Sequence, residues 1–334
     1  MTSTSAQEER GTSALRERLS GAVSQLAAAG ALIVVFIFLS FASSDFLSAD
    51  NLFNIGSQTA VVAVIAIGMT LVIITAGIDL SVGSVAALSG VMGVALMVSF
   101  GLPVPLGILG GILVGAIAGL VNGLLVAFAG LNPFIATLGM LSVARGLTYI
   151  STGAVAVFGA PDSFRLLGQG VLGPIPIPIV VIVVVAIAGY VVLSRTKLGR
   201  YAYAMGSNLE AARLSGIPIK RYLTTVYVIA GALAGLGGMI AASRVNSGQP
   251  NYGLGLELDV IAAAVIGGAS LFGGQGTVLG TLIGAFLIAL IRNGAVLLNV
   301  DVFYQSVIIG VVIWIAVFWD QYRRRLAASE YKEK

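Results

Sequence analysis

Ten apolar blocks, nearly free of charge, leave this chain few folds to choose from. They run at roughly 22–42, 58–76, 82–100, 104–129, 133–151, 175–194, 222–242, 258–271, 277–298 and 303–319. Most approach the ~20 residues an α-helix needs to cross the hydrocarbon core of a bilayer. Only 10% of the 334 residues are charged and 58% are hydrophobic, whereas a soluble domain carries about 25% charge. Such a chain cannot cover its surface with polar groups, so most of that surface faces lipid. There the backbone has to satisfy its own hydrogen bonds, which helices do segment by segment. The expectation is an all-α, polytopic integral membrane protein of about ten transmembrane helices. The 258–271 block is the shortest, and the joins at 77–82 and 272–276 read either as loops or as re-entrant turns. Forty-four glycines fit close helix contact and breaks within spans.

Charge sets the expected orientation. Lys and Arg in short loops favour the cytoplasmic side. The N-tail (Arg10, Arg16, Arg18), the polar interruption at 195–221 with six basic residues, and the C-tail (Arg323, Arg324, Arg325, Lys332, Lys334) all fall on one side if the chain crosses ten times. That places fourteen basic residues inside against Arg165 and Arg244 outside, with Arg145 and Arg292 in or near spans. Both termini are therefore expected in the cytoplasm, with a tail at 1–21, a transmembrane domain at 22–320 and a basic tail at 321–334. Residues 1–21 do not read as a signal peptide. The 43–57 loop is expected to lie on the membrane surface or pack on the bundle, Asp50 capping a short interfacial helix. The prolines at 173–178 (GPIPIP) favour an extended approach to the sixth span. An acid followed by apolar residues and glycines occurs at 75–90 and again at 256–276, the pattern that duplicated halves would leave.

Several chemistries have no residues to perform them. The chain has no cysteine and no histidine, which removes thiol chemistry, the commonest metal ligand and the usual near-neutral base. The glycines at 267–280 match neither a phosphate loop nor a dinucleotide fingerprint, and no catalytic motif is present. The net charge of +4 comes from segment ends and tails, not from a face shaped for nucleic acid. Asp79, in TAGIDLSVGS, is the sharpest candidate, because a carboxylate between apolar spans must be paired, protonated, hydrogen-bonded or wet. Either it or Ser81 supports a broken helix as a cap, or it contacts a solute directly; the cap is favoured. Asn132 before Pro133-Phe134 is a natural helix cap, and Thr137 faces inward or bonds back to its own helix. Glu257 and Asp259, with Arg244, Asn246 and Gln249, would form a polar outer mouth. Within 195–221, Ser207-Asn208 precedes a short helical run ending at Gly216-Ile217-Pro218, a surface that a soluble partner could grip.

The blocks GMTLVIITAGIDLSVGS (68–84), NPFIATLGM with RG (132–146), TKLGRYAYAMGSNLEAARLSGI (196–217) and ELDVIAAAVIGGASLFGGQGTVLGTLIGA (257–285) resemble the membrane permease of ribose-type monosaccharide ABC importers, in the branched-chain amino acid/ribose permease group. The resemblance runs from about Asn51 to Asp320. It implies a homodimer in the bacterial inner membrane, a sugar-binding protein outside, and a cytoplasmic ATPase that uses ATP and magnesium, with no cofactor bound by this chain. The family's coupling-helix pattern, G-x-N-x-x-A-A-x-x-S-G-I, falls on Gly206, Asn208, Ala211, Ala212, Ser215, Gly216 and Ile217, with Glu210 inside it. Asp79, Ser81, Asn122, Asn132, Phe134, Thr137 and Asn246 are candidates for the pathway or for support of broken helices. An ion-coupled secondary transporter, or an ABC permease for another small polar solute such as a branched-chain amino acid, stays open as an alternative.

Overall fold

Each of the ten apolar blocks folds as helix in the computed structural model, which describes residues 25–332. The helices are α1 (Gln25–Ala42), α2 (Ala49–Ile74), α3 (Val82–Val98), α4 (Val104–Ala127), α5 (Pro133–Thr152), α6 (Arg165–Gln169), α7 (Ile177–Arg195), α8 (Lys197–Ser207), α9 (Leu209–Leu214), α10 (Ile219–Val245), α11 (Leu256–Ile266), α12 (Val278–Leu297) and α13 (Val302–Lys332). Seven of them, α1, α2, α4, α5, α7, α10 and α12, are long and apolar enough to cross a membrane. That corrects the expectation of ten such helices. Among the described residues three fall short: α13 contributes only the shorter apolar run Phe303–Ile315, while α3 has 17 residues and α11 only 11, because each of these two begins inside the bundle after a stretch of non-helical chain. The basic C-terminal residues continue α13 as helix to Lys332. The expected tail at 1–21 lies outside the described residues.

Of three local expectations, two give way and one stands. The 43–57 stretch carries no separate interfacial helix, since α2 starts at Ala49 and runs unbroken for 26 residues. Its cap is Ser48, which accepts the Asn51 N–H at 3.3 Å, while Asp50 sits in the first turn. Phe46 anchors the preceding turn, fully buried and edge-on to Phe36. The GPIPIP stretch does approach α7 in extended form. Part of it pairs as a two-residue hairpin, β1 (Val171–Leu172) with β2 (Ile175–Pro176), the only paired strands among the described residues.

The core is built on α2 and α10, which cross antiparallel. A Cβ added at Gly237 would touch Ile65, one at Gly68 the Ala230 backbone, and one at Gly77 the Tyr227 hydroxyl. Around this pair the packing repeats. Helix α10 packs on α3 and α4, and α2 packs on α11 and α12; α3 packs on α4 and α11 on α12; α5 leans on α3 and α4, and α13 on α11 and α12. Exchanging α2–α5 with α10–α13 reproduces the contact pattern with the chain direction reversed, the arrangement of an inverted repeat.

Helices α4 and α10 meet with almost no side chain between them. A Cβ on Gly115 would overlap the Gly231 carbonyl, one on Gly231 the Gly115 carbonyl, and one on Gly119 the Tyr227 carbonyl. Lipid offers helices no hydrophobic gain from association, so this backbone-to-backbone contact supplies the dispersion that holds them together. Overpacking with added methylenes costs about 1–3 kcal/mol where side chains can yield, and here only backbone could yield. Gly231→Leu is therefore expected to abolish the monodisperse peak on size-exclusion chromatography in detergent. Gly139→Leu, on α5 where a Cβ meets nothing within 4 Å, is expected to keep it.

Candidate functional site

Two interruptions of helix inside the bundle organise the functional centre. The first is the 75–81 connection between α2 and α3. Ala76 adopts a positive φ of 60° and the chain doubles back, Gly77 donating its N–H to the Val72 carbonyl at 3.1 Å. Asp79 is buried and its Oδ1 accepts two bonds from Ser81, the backbone N–H at 2.8 Å and the hydroxyl at 2.6 Å. The Ser81 hydroxyl accepts in turn from the Asn122 amide of α4 at 3.0 Å. Thr137 of α5 braces the same turn from the other side: its hydroxyl accepts the Leu80 N–H at 3.1 Å and lies within bonding distance of the Ile78 and Pro133 carbonyls. Asp79, Ser81, Asn122 and Thr137, from three separate stretches of chain, are thus brought together around one turn. Serine 81 occupies the cap position of α3 without capping it; the carboxylate two residues earlier organises the helix start.

The second interruption, 246–255, joins α10 to α11. Asn246 ends α10 in the left-handed region at φ 51° and its amide donates to the Ala160 carbonyl at 3.2 Å. Beyond it the chain turns into the bundle and runs beside α3. A Cβ at Gly248 would meet Val91, and Gly253 lies against the Gly83 backbone. Gly83 and Gly90 are ~10 Å apart along α3 at ~1.5 Å per residue, and Gly90 packs on Gly238 and Ala242 near the end of α10. The segment therefore descends to about the level of the middle of α10 before α11 begins. Its backbone is satisfied by borrowed partners. Gly248 exchanges two 2.9 Å bonds with Val157, and the guanidinium of Arg145 on α5 donates to the carbonyls of Pro250 and Tyr252, each at 2.8 Å. Tyr149, one turn along α5, donates to the Asn251 side chain at 3.0 Å.

The starts of α3 and α11 consequently face each other inside the bundle. The Glu257 carboxylate lies where a Cβ on Gly83 would come within 2.6 Å of it. Carboxylates near both helix N-termini, Asp79 before α3 and Glu257 and Asp259 in the first turn of α11, oppose the positive ends of the two helix dipoles. This replaces the expected polar outer mouth. Asp259 is buried and held by Arg292 of α12 in a two-pronged bond at 2.9 and 2.7 Å. Arg145 and the descent of 246–255 escaped the sequence reading; the brevity of the 258–271 block was the available signal.

At the end of the bundle that carries α8 and α9, the short helical run expected after Ser207-Asn208 is present as α9. Asn208 caps α9, accepting the Ala211 N–H at 2.9 Å, and Gly216 leaves the helix at φ 77°. Glu210, Ala211 and Ser215 are exposed, Ile217 is half-buried, and Ala212 is the buried anchor. Leu214 and Leu209 stand 81% and 55% exposed, an apolar face with Glu210 and Arg213 beside it. Behind them Gly206 packs directly on the Ile74 carbonyl, which also accepts the Gly274 N–H at 2.9 Å. Tyr203 of α8 donates to the Gly276 carbonyl at 2.7 Å, and burial pushes its phenol up, keeping the proton that makes the bond. Asn132 caps α5 through the Phe134 N–H at 2.9 Å, and Phe134 is exposed at this same end.

Residues 51–317 match the family described as branched-chain amino acid transport system / permease component. The chain belongs to that family. Among curated proteins it is similar to the ribose import permease protein RbsC of Haemophilus influenzae, 43% identical over 87% of this chain and 91% of the relative. It is also similar to the RbsC of Bacillus subtilis, 41% identical over 94% of this chain and 98% of the relative, and to the D-allose transport system permease protein AlsC of Escherichia coli, 39% identical over 86% and 89%. No solved structure gives a significant match. Family and helices together make the chain a multi-pass protein of the bacterial inner membrane.

The geometry at Asp79 separates two roles for its carboxylate. If its task is to accept from Ser81, Asp79→Asn keeps the accepting oxygen and Asp79→Ala leaves two buried donors without a partner, at about 1–3 kcal/mol each. Denaturant melts in detergent are expected to show the alanine variant destabilised by that amount and the asparagine variant by clearly less. Equal losses would mean that the charge itself, and not the accepting oxygen, is what the fold uses.

Proposed function

We propose that this chain is the transmembrane subunit of an ATP-driven importer and carries a monosaccharide inward. In this reading it crosses the membrane ten times, α3 and α11 serving as the inner parts of broken spans, with both termini in the cytoplasm. It pairs with a second copy, receives sugar from an extracytoplasmic binding protein, and is driven by a separate ATPase that uses ATP and magnesium. The observation that carries the reading is family membership, with sugar importers among the relatives, combined with a protruding capped helix, α9, whose exposed leucines have no partner within the described fold.

Backbone contacts behind α9 support a route for the drive. Helix α9 follows α8 through one capped residue, and Gly206 of α8 contacts the last carbonyl of α2 with no side chain between them. That carbonyl is shared with Gly274 of the α11–α12 turn. A push on α9 therefore reaches both short helices at once, α3 through the 75–81 turn and α11 through the 270–276 turn. Rigid-body movement of this kind is the ordinary means of alternating access. An ion-coupled transporter would instead need a buried relay; Asp79, with Oδ1 occupied by Ser81, is better placed as a support.

Uptake into vesicles holding the chain and its ATPase, with a panel of binding proteins loaded with labelled ribose, allose, xylose or galactose, tests the assignment. Uptake is expected only with ATP and one loaded binding protein; uptake driven by an ion gradient without ATPase would overturn the reading. Burying a leucine is worth ~1.5–3 kcal/mol, and 1.4 kcal/mol is about tenfold in affinity. Leu214→Asp is accordingly expected to weaken ATPase binding by at least tenfold with the fold intact. Glu210→Ala and Gly216→Val, the latter strained at its positive φ, are expected to leave ATP hydrolysis running while sugar uptake falls.

A further inference from the structure

The descending 246–255 segment does not pack flush against its neighbours. Between it, α3 and α10 lies a cavity of about 250 Å³, walled on two sides by Ala86, Ala87 and Gly90 of α3 and by small residues of α10. That is just under the usual ~300 Å³ lower bound for small-molecule sites, room for one sugar ring and not two. The polar groups are gathered on one side. Arg244, Ser247 and Gln249 line the cavity together with Tyr252. Gln249 donates to the Ser247 hydroxyl at 2.8 Å, which leaves its amide oxygen free to accept. The guanidinium of Arg244 has no ion pair or hydrogen bond among the described residues, and it also borders a second cavity, lined by Asn54, Ser57 and Gln169. A half-buried, unpaired guanidinium standing between two cavities has its donors available to whatever passes.

We infer that the cavity between α3, α10 and the 246–255 segment is a transit site for one neutral monosaccharide, reached from the second cavity past Arg244. This rests on reading the chain as a sugar permease. The chemistry fits a polyol better than its rivals. The Ser247 hydroxyl is taken up by the Val245 carbonyl and by Gln249, so the Arg244 guanidinium offers the donors and the Gln249 amide oxygen an acceptor to neighbouring hydroxyls, while Tyr252 with the alanine and glycine wall accepts the C–H face of a ring. No carboxylate lines the cavity, so a cation has no counter-charge. An apolar amino-acid side chain would leave the Arg244 guanidinium and the Gln249 amide oxygen unused. The site asks for few contacts, as a carrier does when it must release its cargo.

The absence of cysteine from the chain makes a direct test available. Ala87→Cys and, separately, Ser247→Cys place a single thiol in the cavity wall, and Gly139→Cys provides one on the open face of α5. The full complex, reconstituted with each variant, is labelled with a small thiol reagent in the presence of free ribose, allose, xylose or galactose, or of leucine. One of the sugars is expected to slow labelling of the cavity thiols at least threefold and to leave the Gly139→Cys thiol unaffected. Ala87→Leu, which fills the space, is expected to cut uptake at least tenfold while the ATPase stays bound. If wild-type complex imports sugar with ATP but no sugar protects either cavity thiol, the site is wrong and the permease reading stands. Protection by leucine in place of sugar would overturn the ligand class. Failure of ATP-driven sugar uptake by wild-type complex would remove the reading on which the site rests.

Discussion

Unpaired backbone is what this fold is built to avoid. A helix that stops inside an apolar bundle leaves N–H and C=O groups with no water to take them. The chain does this twice, and each time groups other than helix backbone supply the partners. At 75–81 these are the local Asp79 and the distant Thr137; at 246–255 they are the distant Arg145 side chain and the Val157 backbone. Remove those partners and the short helices α3 and α11 lose the positions from which they begin. The glycine contacts follow from the same constraint, since a segment of bare chain fits beside α3 only where Gly83 and Gly253 can touch without side chains.

Much of the architecture was legible in the sequence, because the signals involved are local. Each apolar block located a helix, Asn132 and Asn208 announced the starts of α5 and α9, and the prolines at 173–178 marked an extended approach. The duplicated acid-and-glycine stretches pointed to α3 and α11, which the packing places in equivalent positions. What stayed hidden depends on distance in sequence. Arg145 bonds to carbonyls more than a hundred residues away, and a carbonyl carries no residue identity for a reader to notice. The 246–255 stretch, with Pro250 and three glycines, has the composition of an ordinary surface loop. Only its packing against α3, Gly248 on Val91 and Gly253 on Gly83, sets it apart from such a loop, and that same descent moves Glu257 and Asp259 away from any outer mouth.

Near α9 the protein trades side-chain packing for rigidity. Gly206 on the Ile74 carbonyl leaves no flexible side chain to absorb a displacement. Tyr203 ties α8 to Gly276 from the other side, and Gly274 closes the triangle through the Ile74 oxygen. Three chain segments far apart in sequence thus behave as one block at this end of the bundle. The exposed leucines of α9 sit on that block, so a load applied there meets backbone on backbone within a few residues.

The antiparallel crossing of α2 and α10 has a geometric consequence. In an inverted pair, any shape adopted by one connection is available in principle to its counterpart on the opposite face. Here the two differ: 246–255 is long and leaves a hollow beside it, whereas 75–81 is short and closed by Asp79 and Thr137. The molecule is thus caught lopsided, one half slack and the other drawn tight. If the halves exchanged those shapes the hollow would move to the other face, and a solute resting in it would find itself on the far side without having travelled.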